Sequence, residues 1–274
     1  MTKMLRFLGD GDFDALVAAS NEAFSDYLVP LHFAAPFLRQ MCRRRGVVLE
    51  LSPAVFDGEG IAAYTLNALG TWNGVPSAYD SGTGVVPSHR RRGLARQLFD
   101  VSFPALHARG AEQMILEVLE ENDRALALYL SLRFEVTRRL ECWRYAGAAA
   151  LDPEAVEISI DDVPSEFCDV APSWQNSLQC LRRSDDDKRV IAVDGGYVVV
   201  HAATGDLAQL AVDPARRRRG VGTRLLRHAA AVAEAPLRIL NVDARSGVIR
   251  KFLGAAGAEP FVAQLEMARA TLGA

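Results

Sequence analysis

The sequence predicts an α/β (α+β) fold in two tandem halves of one plan, each a mixed central sheet flanked by helices. Three observations carry this. Half of the 274 residues are hydrophobic, enough for a proper core in one large domain or two ordinary ones. Apolar β-branched runs alternate with stretches of helical spacing. An ordered set of strand, arginine-glycine turn, helix, strand and helix occurs twice, around Gly82 to Ala95 and again around Leu207 to Gly222. A repeat of that length does not arise by accident.

In the first half, Asp14 to Phe24 is helical, with Leu16, Val17, Ala23 and Phe24 on one face, and Ser25-Asp26-Tyr27 breaks it. A second helix follows from about Ala34 to Arg44. Val47 to Leu51 and Gly60 to Leu66 read as strands separated by the turn Asp57-Gly58-Glu59-Gly60. Trp72 to Pro76 is another turn, and Ser77 to Val86 is a strand that enters the basic turn. Leu94, Leu98, Val101, Ala105 and Leu106 keep helical spacing up to a C-cap at Gly110, with a kink expected at Pro104. Gln113 to Leu119 is a strand. Asn122-Asp123-Arg124 starts a helix bearing Ala125, Leu128, Tyr129 and Leu132, and Phe134 to Val136 with Leu140 to Tyr145 reads as a terminal hairpin.

Ala146 to Pro153 is a small-residue linker, so an N-terminal domain is expected over 1–146 and a C-terminal domain over 153–274. The second half repeats the plan. Arg189 to Val193 and Gly196 to His201 form a hairpin around Asp194-Gly195. Leu207 to Pro214 is the strand before the second basic turn, Ala215 to Gly222 is that turn, and Val221, Leu225, Ala229 and Val232 continue as a helix. Leu237 to Val242 is a strand, Ser246 to Ala256 a helix, and a strand-like run follows Pro260.

The formal net charge of −3 argues against a dedicated nucleic-acid binder. Alone, Arg90-Arg91-Arg92 and Arg216 to Arg219 read as solvated charge or a nucleic-acid patch. Their place between strand and helix, twice, makes them parts of an anion-binding turn. The first residues lack the form of a signal peptide and no apolar run approaches a membrane span, so a cytoplasmic protein without a membrane partner is expected. The four cysteines (Cys42, Cys142, Cys168, Cys180) form no C-x-x-C pair, and His32, His89, His107, His201 and His228 form no cluster. No metal, disulfide framework or histidine-based triad is expected. Oligomeric state leaves no signal.

A strand that delivers the chain to a glycine turn at a helix start leaves the first helical N–H groups unpaired and pointing outward, which suits an anion. No Lys-Ser or Lys-Thr follows the glycine, so the turn is not a nucleotide P-loop, nor is it a dinucleotide fingerprint. Both turns fit R-x-x-G-x-G/A, through Arg90, Gly93 and Ala95 in the first and Arg217, Gly220 and Gly222 in the second. With V-x-P ahead of the turn and N-x-x-A-x-x-L-Y behind it (Asn122, Ala125, Leu128, Tyr129), the sequence resembles the GNAT superfamily of acyl-CoA-dependent N-acetyltransferases. The resemblance spans almost the whole chain, one unit in each half.

That resemblance implies a splayed strand pair in each unit, acetyl-CoA as cofactor, and a primary amine, small molecule or peptide, attacking directly in a ternary complex. It gives the coenzyme diphosphate to the N–H groups from about Arg91 to Arg96, across Gly93, Leu94 and Ala95, the 3′-phosphate to the arginine side chains of Arg90, Arg91 and Arg92, the pantetheine to the strand edge Gly84, Val85 and Val86, and a further place to Asn122. In the second half Leu210, Ala211, Val212, Arg217, Arg218, Arg219, Gly220, Val221 and Gly222 take the same places. Tyr129 is implied as the general acid for the departing thiolate. With reference pKa values of about 10 and 8.5, that transfer is uphill by ~2 kcal/mol, within reach of a modest local field. Glu117 is the first candidate for general base, with Glu22, Asp26 and a water chain as others, and solvated or ion-paired carboxylates as the plain alternative. Glu22, Asp26 and Tyr79, in the segments 22–31 and 71–80, are expected beside the acceptor, with Tyr79-Asp80-Ser81 pointing into its cleft. Trp174 either contacts substrate or the other domain, or is a buried interface tryptophan.

The halves are not equivalent. Aligning Gly257 with the family's closing L-G-F places Leu253 where the first half has Tyr129, and Ser246 where it has Asn122. The N-terminal unit is therefore expected to be catalytic and the C-terminal unit a degenerate partner that buttresses it or binds coenzyme without turnover. Arg133 stands at the first half's own L-G-F glycine. Two alternatives stay open: catalysis by the C-terminal unit, and a noncatalytic acyl-CoA-binding or regulatory protein.

Overall fold

The computed structural model describes residues 3–26, 32–185 and 187–272. The chain packs as two compact units, neither continuous in sequence. Unit 1 is Met1–Val118, Asn122–Thr137 and Glu266–Ala274, and unit 2 is Leu119–Glu121 and Arg138–Leu265. A division at 1–146 and 153–274 puts residues 138–145 and 266–274 in the opposite halves.

Unit 1 is built from β1 (Met4–Phe7), α1 (Phe13–Ala23), α2 (Ala35–Arg45), β2 (Pro53–Asp57), β3 (Gly60–Trp72), β4 (Val75–Val85), α3 (Leu94–Ala108), β5 (Gln113–Leu119) and α4 (Asp123–Ser131). Its strands lie in the order β1-β2-β3-β4-β5. Pairing is antiparallel except between β4 and β5. The β3–β4 hairpin turns on Asn73 and Gly74, both with positive φ (49° and 80°), the combination that a two-residue turn needs to match strand twist. Helix α1 packs on β3 and buries Phe13, Leu16, Ala19 and Ala23, as its 3.6-residue pattern requires. The C-terminal residues complete this unit: Thr271 N–H donates to the Glu112 carbonyl (2.9 Å), and its hydroxyl donates to that of Ala111 (2.6 Å).

Two expectations fail locally. Val47 to Leu51 is not a strand but an isolated bridge from Val47 to Ala68 followed by a 3-10 turn over Leu49–Leu51, and the strand is the next segment, β2. Phe134 to Tyr145 is not a hairpin but holds one strand, β6 (Glu135–Tyr145). No Gly, Pro or Asn interrupts Thr137-Arg138-Arg139, so nothing reverses the chain.

In unit 2, residues 138–145 of β6 precede β7 (Val156–Glu157), α5 (Leu178–Arg183), β8 (Lys188–Val193), β9 (Gly196–His201), β10 (Asp206–Val212), α6 (Val221–Val232), β11 (Arg238–Asp243), α7 (Gly247–Ala255) and β12 (Ala258–Ala270), whose last residues belong to unit 1. The strands lie in the order β12-β6-β11-β10-β9-β8-β7. The parallel pair here is β10 with β11. Leu225, Leu226 and Ala229 of α6 are buried against Val198, Val200 and Leu207. Trp174 is buried.

The decisive feature recurs in both units. Parallel pairing of β4 with β5 ends at Asp80 and Leu116, and Ser81 is then skipped in the register with β3. Pairing of β10 with β11 ends at Leu207 and Ile239, and Ala208 is then skipped in the register with β9. A bulge adds local twist and bends its strand, so in each unit the strand leaves its parallel neighbour just past its last pair. That makes a V-shaped opening.

Candidate functional site

Each opening ends at a basic turn, and the two turns share one backbone. Arg91 and Arg218 have positive φ (60° and 62°), as do Gly93 and Gly220 (73° and 83°), which start α3 and α6. Among the described residues, the N–H groups of Arg91 to Arg96 and of Arg218 to Thr223 have no protein acceptor. They are the unpaired donors of a helix start, extended backward by the turn. A diphosphate fits such a set.

The leading arginine serves a different end. Arg90 Nε donates to the Val85 carbonyl (3.2 Å), its two Nη atoms clamp Asp26 (2.6 and 2.7 Å), and Nη2 also reaches the Ala23 carbonyl (2.9 Å). Arg217 repeats this with the Val212 carbonyl (3.1 Å), Asp169 (2.9 Å) and the Phe167 carbonyl (3.4 Å). Both guanidiniums tie the turn to its own strand and to an aspartate, so they shape the cradle. Asp26 is thereby engaged by Arg90, which lowers its pKa. Arg92 donates to the Ser88 carbonyl and Arg96 to Ser131, from exposed positions, while Arg219 is also exposed.

Strand alternation decides which amides face the openings. Val86 N–H turns to the Ala62 carbonyl of β3 (3.0 Å), so the Val85 N–H points to the opposite, open edge. Likewise Asp213 N–H turns to the Gly195 carbonyl (2.9 Å), leaving Val212 and Leu210 facing outward and Ala211 facing β9. Gly84 answers a packing need: a Cβ there would lie 2.7 Å from the ring of buried Tyr64. Gly222 answers another, since a Cβ would meet Phe252 at 3.3 Å. Leu94 and Val221 are buried at the helix starts and Ala95 is half-buried.

Unit 1 carries a polar network where its opening begins. Asp80 is buried; its Oδ2 accepts from Thr83 Oγ1 (2.8 Å) and the Tyr129 hydroxyl (3.4 Å), and its Oδ1 from Gly82 N–H (2.9 Å) and Thr65 Oγ1 (3.2 Å). Burial pushes the Asp80 carboxyl up to about 6 despite these donors. The Tyr129 ring sits edge-on to Phe99 and Phe134, with centroids 5.9 and 5.8 Å away. Asn122 is the N-cap of α4, its Oδ1 accepting from Ala125 N–H (3.2 Å). Glu117 is half-buried on β5, just past the last pair with β4. Glu22 is exposed at the end of α1, and Tyr79 is buried within β4. Residues 27–31 of the expected acceptor segment lie outside the described residues. In the sequence, Asp80 stands out only as part of Tyr79-Asp80-Ser81. The signal that isolates it is the other half of the chain, since the strand position of Asp80 is Leu207 in unit 2, that of Glu117 is Leu240, and the helix position of Tyr129 is Leu253.

The opening of unit 2 forms a cavity of about 920 Å³ that runs from Arg218, Gly220 and Thr223 along β10 and β11 to Leu253. That is the size of a small-molecule or cofactor site. Among the described residues no group of three or more His, Cys, Asp or Glu could hold a metal ion, and no helix is long and apolar enough to cross a membrane.

Residues 14–134 match the model of the acetyltransferase (GNAT) family, and residues 179–258 match the model of the acetyltransferase (GNAT) domain. No curated protein matches the chain. Solved structures share the fold. A GCN5-related N-acetyltransferase from Sphaerobacter thermophilus is 15% identical with a TM-score of 0.72, over 99% of this chain and 96% of that one. A tandem GNAT protein from the clavulanic acid biosynthesis pathway is 15% identical with a TM-score of 0.67, over the whole of both chains. A GCN5-related N-acetyltransferase from Kribbella flavida is 16% identical with a TM-score of 0.62, over 98% of this chain and 71% of that one.

Proposed function

The chain belongs to the GNAT acetyltransferase family, with one family domain in each half, and on that premise we propose that unit 1 transfers an acetyl group from acetyl-CoA to a primary amine while unit 2 holds coenzyme without a proton donor. One observation carries the division of labour. Asp80, Glu117 and Tyr129 surround the opening of unit 1, and leucines (Leu207, Leu240, Leu253) take their places in unit 2, although both cradles are intact. Bound acetyl-CoA supplies the activated acyl group as a thioester. The N–H groups of Arg91 to Arg96 hold its diphosphate, and the outward N–H of Val85 serves the pantetheine or the oxyanion of the attacked carbonyl. Glu117 takes the proton from the amine, and Tyr129 holds the proton for the departing sulfur.

A second reading places transfer in unit 2, and the 920 Å³ cavity favours it. Acetyl-CoA thiol release with a panel of amines separates the two. A glutamate on the first helical turn sets a like charge against the diphosphate, so Ala95→Glu should abolish turnover, whereas Thr223→Glu should remove one class of coenzyme site and leave turnover in place. Tyr129→Phe should lower kcat by about a hundredfold or more with coenzyme binding intact. Turnover that survives Ala95→Glu and is lost in Thr223→Glu moves the chemistry to unit 2. Coenzyme binding without amine-dependent thiol release makes the chain a noncatalytic binder.

A further inference from the structure

We infer that Asp80 is the positioning residue for Tyr129, holding the phenol hydroxyl at the point where β4 parts from β5; this rests on the reading of unit 1 as the transferring unit. Three features place the pair. Asp80 is the last β4 residue in register with β5, directly before the Ser81 bulge. Its Oδ2 accepts the Tyr129 O–H at 3.4 Å. Phe99 and Phe134 fix the plane of the ring, and the Phe134 N–H donates to the Tyr129 carbonyl (3.0 Å), so the hydroxyl has little freedom beyond rotation about its own C–O bond.

The fold does not require this carboxylate. Unit 2 builds the same strand, bulge and turn with Leu207 at that position and Leu253 in place of the phenol. The two polar groups are lost together, as expected of groups that act as one. Unit 1 also gives Asp80 an unusual share of donors, since Thr65, Gly82, Thr83 and Tyr129 all reach it and Thr83 also reaches Thr65 (2.8 Å). A buried carboxylate costs stability unless it is hydrogen-bonded, and four donors from three elements keep this one in the core.

Among the described residues, Tyr64 of β3, whose phenol is pushed up by burial and further by the Asp80 charge, and Arg45 of α2, which donates to the Ser81 carbonyl (2.9 Å), are titratable or charged groups near it. An ionised Asp80 draws the Tyr129 proton toward itself and disfavours the phenolate. An asparagine keeps the shape, offers its oxygen to Gly82 and Thr65, and donates its amide to the two hydroxyls.

The test reads Tyr129 itself. Its titration is followed by phenolate absorbance as the difference between the full chain and its Tyr129→Phe variant, and repeated in an Asp80→Asn background. Tyr129 is expected to titrate at least about one pH unit lower in Asp80→Asn, and the kcat–pH profile to lose its step near 6, while KM for acetyl-CoA changes by less than about twofold, as for a group that makes no ground-state contact. Thr83→Val strips a donor from the same carboxylate oxygen, so it should move that step to higher pH; it provides a second perturbation should Asp80→Asn fail to fold. An unmoved Tyr129 titration in Asp80→Asn, or an unmoved step in Thr83→Val, overturns the inference. Unchanged turnover in Tyr129→Phe would instead overturn the transfer reading, and the titration would still report whether Asp80 holds the hydroxyl.

Discussion

Replacing Asp80 by asparagine should stabilise the protein, and by an amount that depends on pH. The carboxyl is 5% exposed, and burial raises it from 3.8 to about 6. Between those values the native state binds the proton more tightly than the unfolded chain, so stability falls as pH rises through that window and stays low above it. The gap of roughly two pH units corresponds to about 3 kcal/mol. Asparagine removes this cost and still hydrogen-bonds each surrounding group, the two hydroxyls now accepting from its amide. Urea unfolding should therefore show the variant more stable by up to about 3 kcal/mol near pH 8, with the difference shrinking toward zero by about pH 4. A variant less stable than the parent at pH 8, or a difference that does not vary with pH, refutes the reasoning.

Gly84→Ala should destabilise unit 1 by about 1–3 kcal/mol, because its Cβ lies 2.7 Å from the Tyr64 ring; urea midpoints check this. Unit 2 tolerates an alanine, Ala211, opposite Tyr197, so Ala211→Gly gives the contrasting control. Arg133 adopts φ 65° where unit 2 has Gly257 at 86°, and Arg133→Gly should raise the thermal midpoint by relieving about 1 kcal/mol of left-handed strain.

The cradles were legible in the sequence because their chemistry is local. Arg90 to Ala95 and Arg217 to Gly222 carry strand end, turn and helix start within a few residues, and repetition separates them from ordinary surface charge. What the leading arginines do was not legible, since Arg90 meets Asp26 and Arg217 meets Asp169 across long stretches of chain. Asp80 stayed unresolved for the same reason: Thr65, Thr83 and Tyr129 converge on it only after β3, β4 and α4 have packed. The strand at Pro53–Asp57 was hidden by its leading proline, which is at home at the first residue of a strand. The apolar run Val47 to Leu51 has the composition of a strand, but three of its residues close a 3-10 turn.

The exchange of terminal segments has a consequence for how the protein comes into being. Unit 1 draws on Glu266–Ala274, so a ribosome that has finished the first half of the message has not yet made everything that half needs. Until Thr271 reaches Ala111 and Glu112, and Arg269 reaches the Leu132 carbonyl and stacks over Phe103, the nascent unit lacks its last contacts and exposes a sheet edge open to wrong partners. Gene fragments split at the linker should inherit that defect permanently. Contacts between residues this distant in sequence also slow folding, and the unit that bears Tyr129 is the one that must wait.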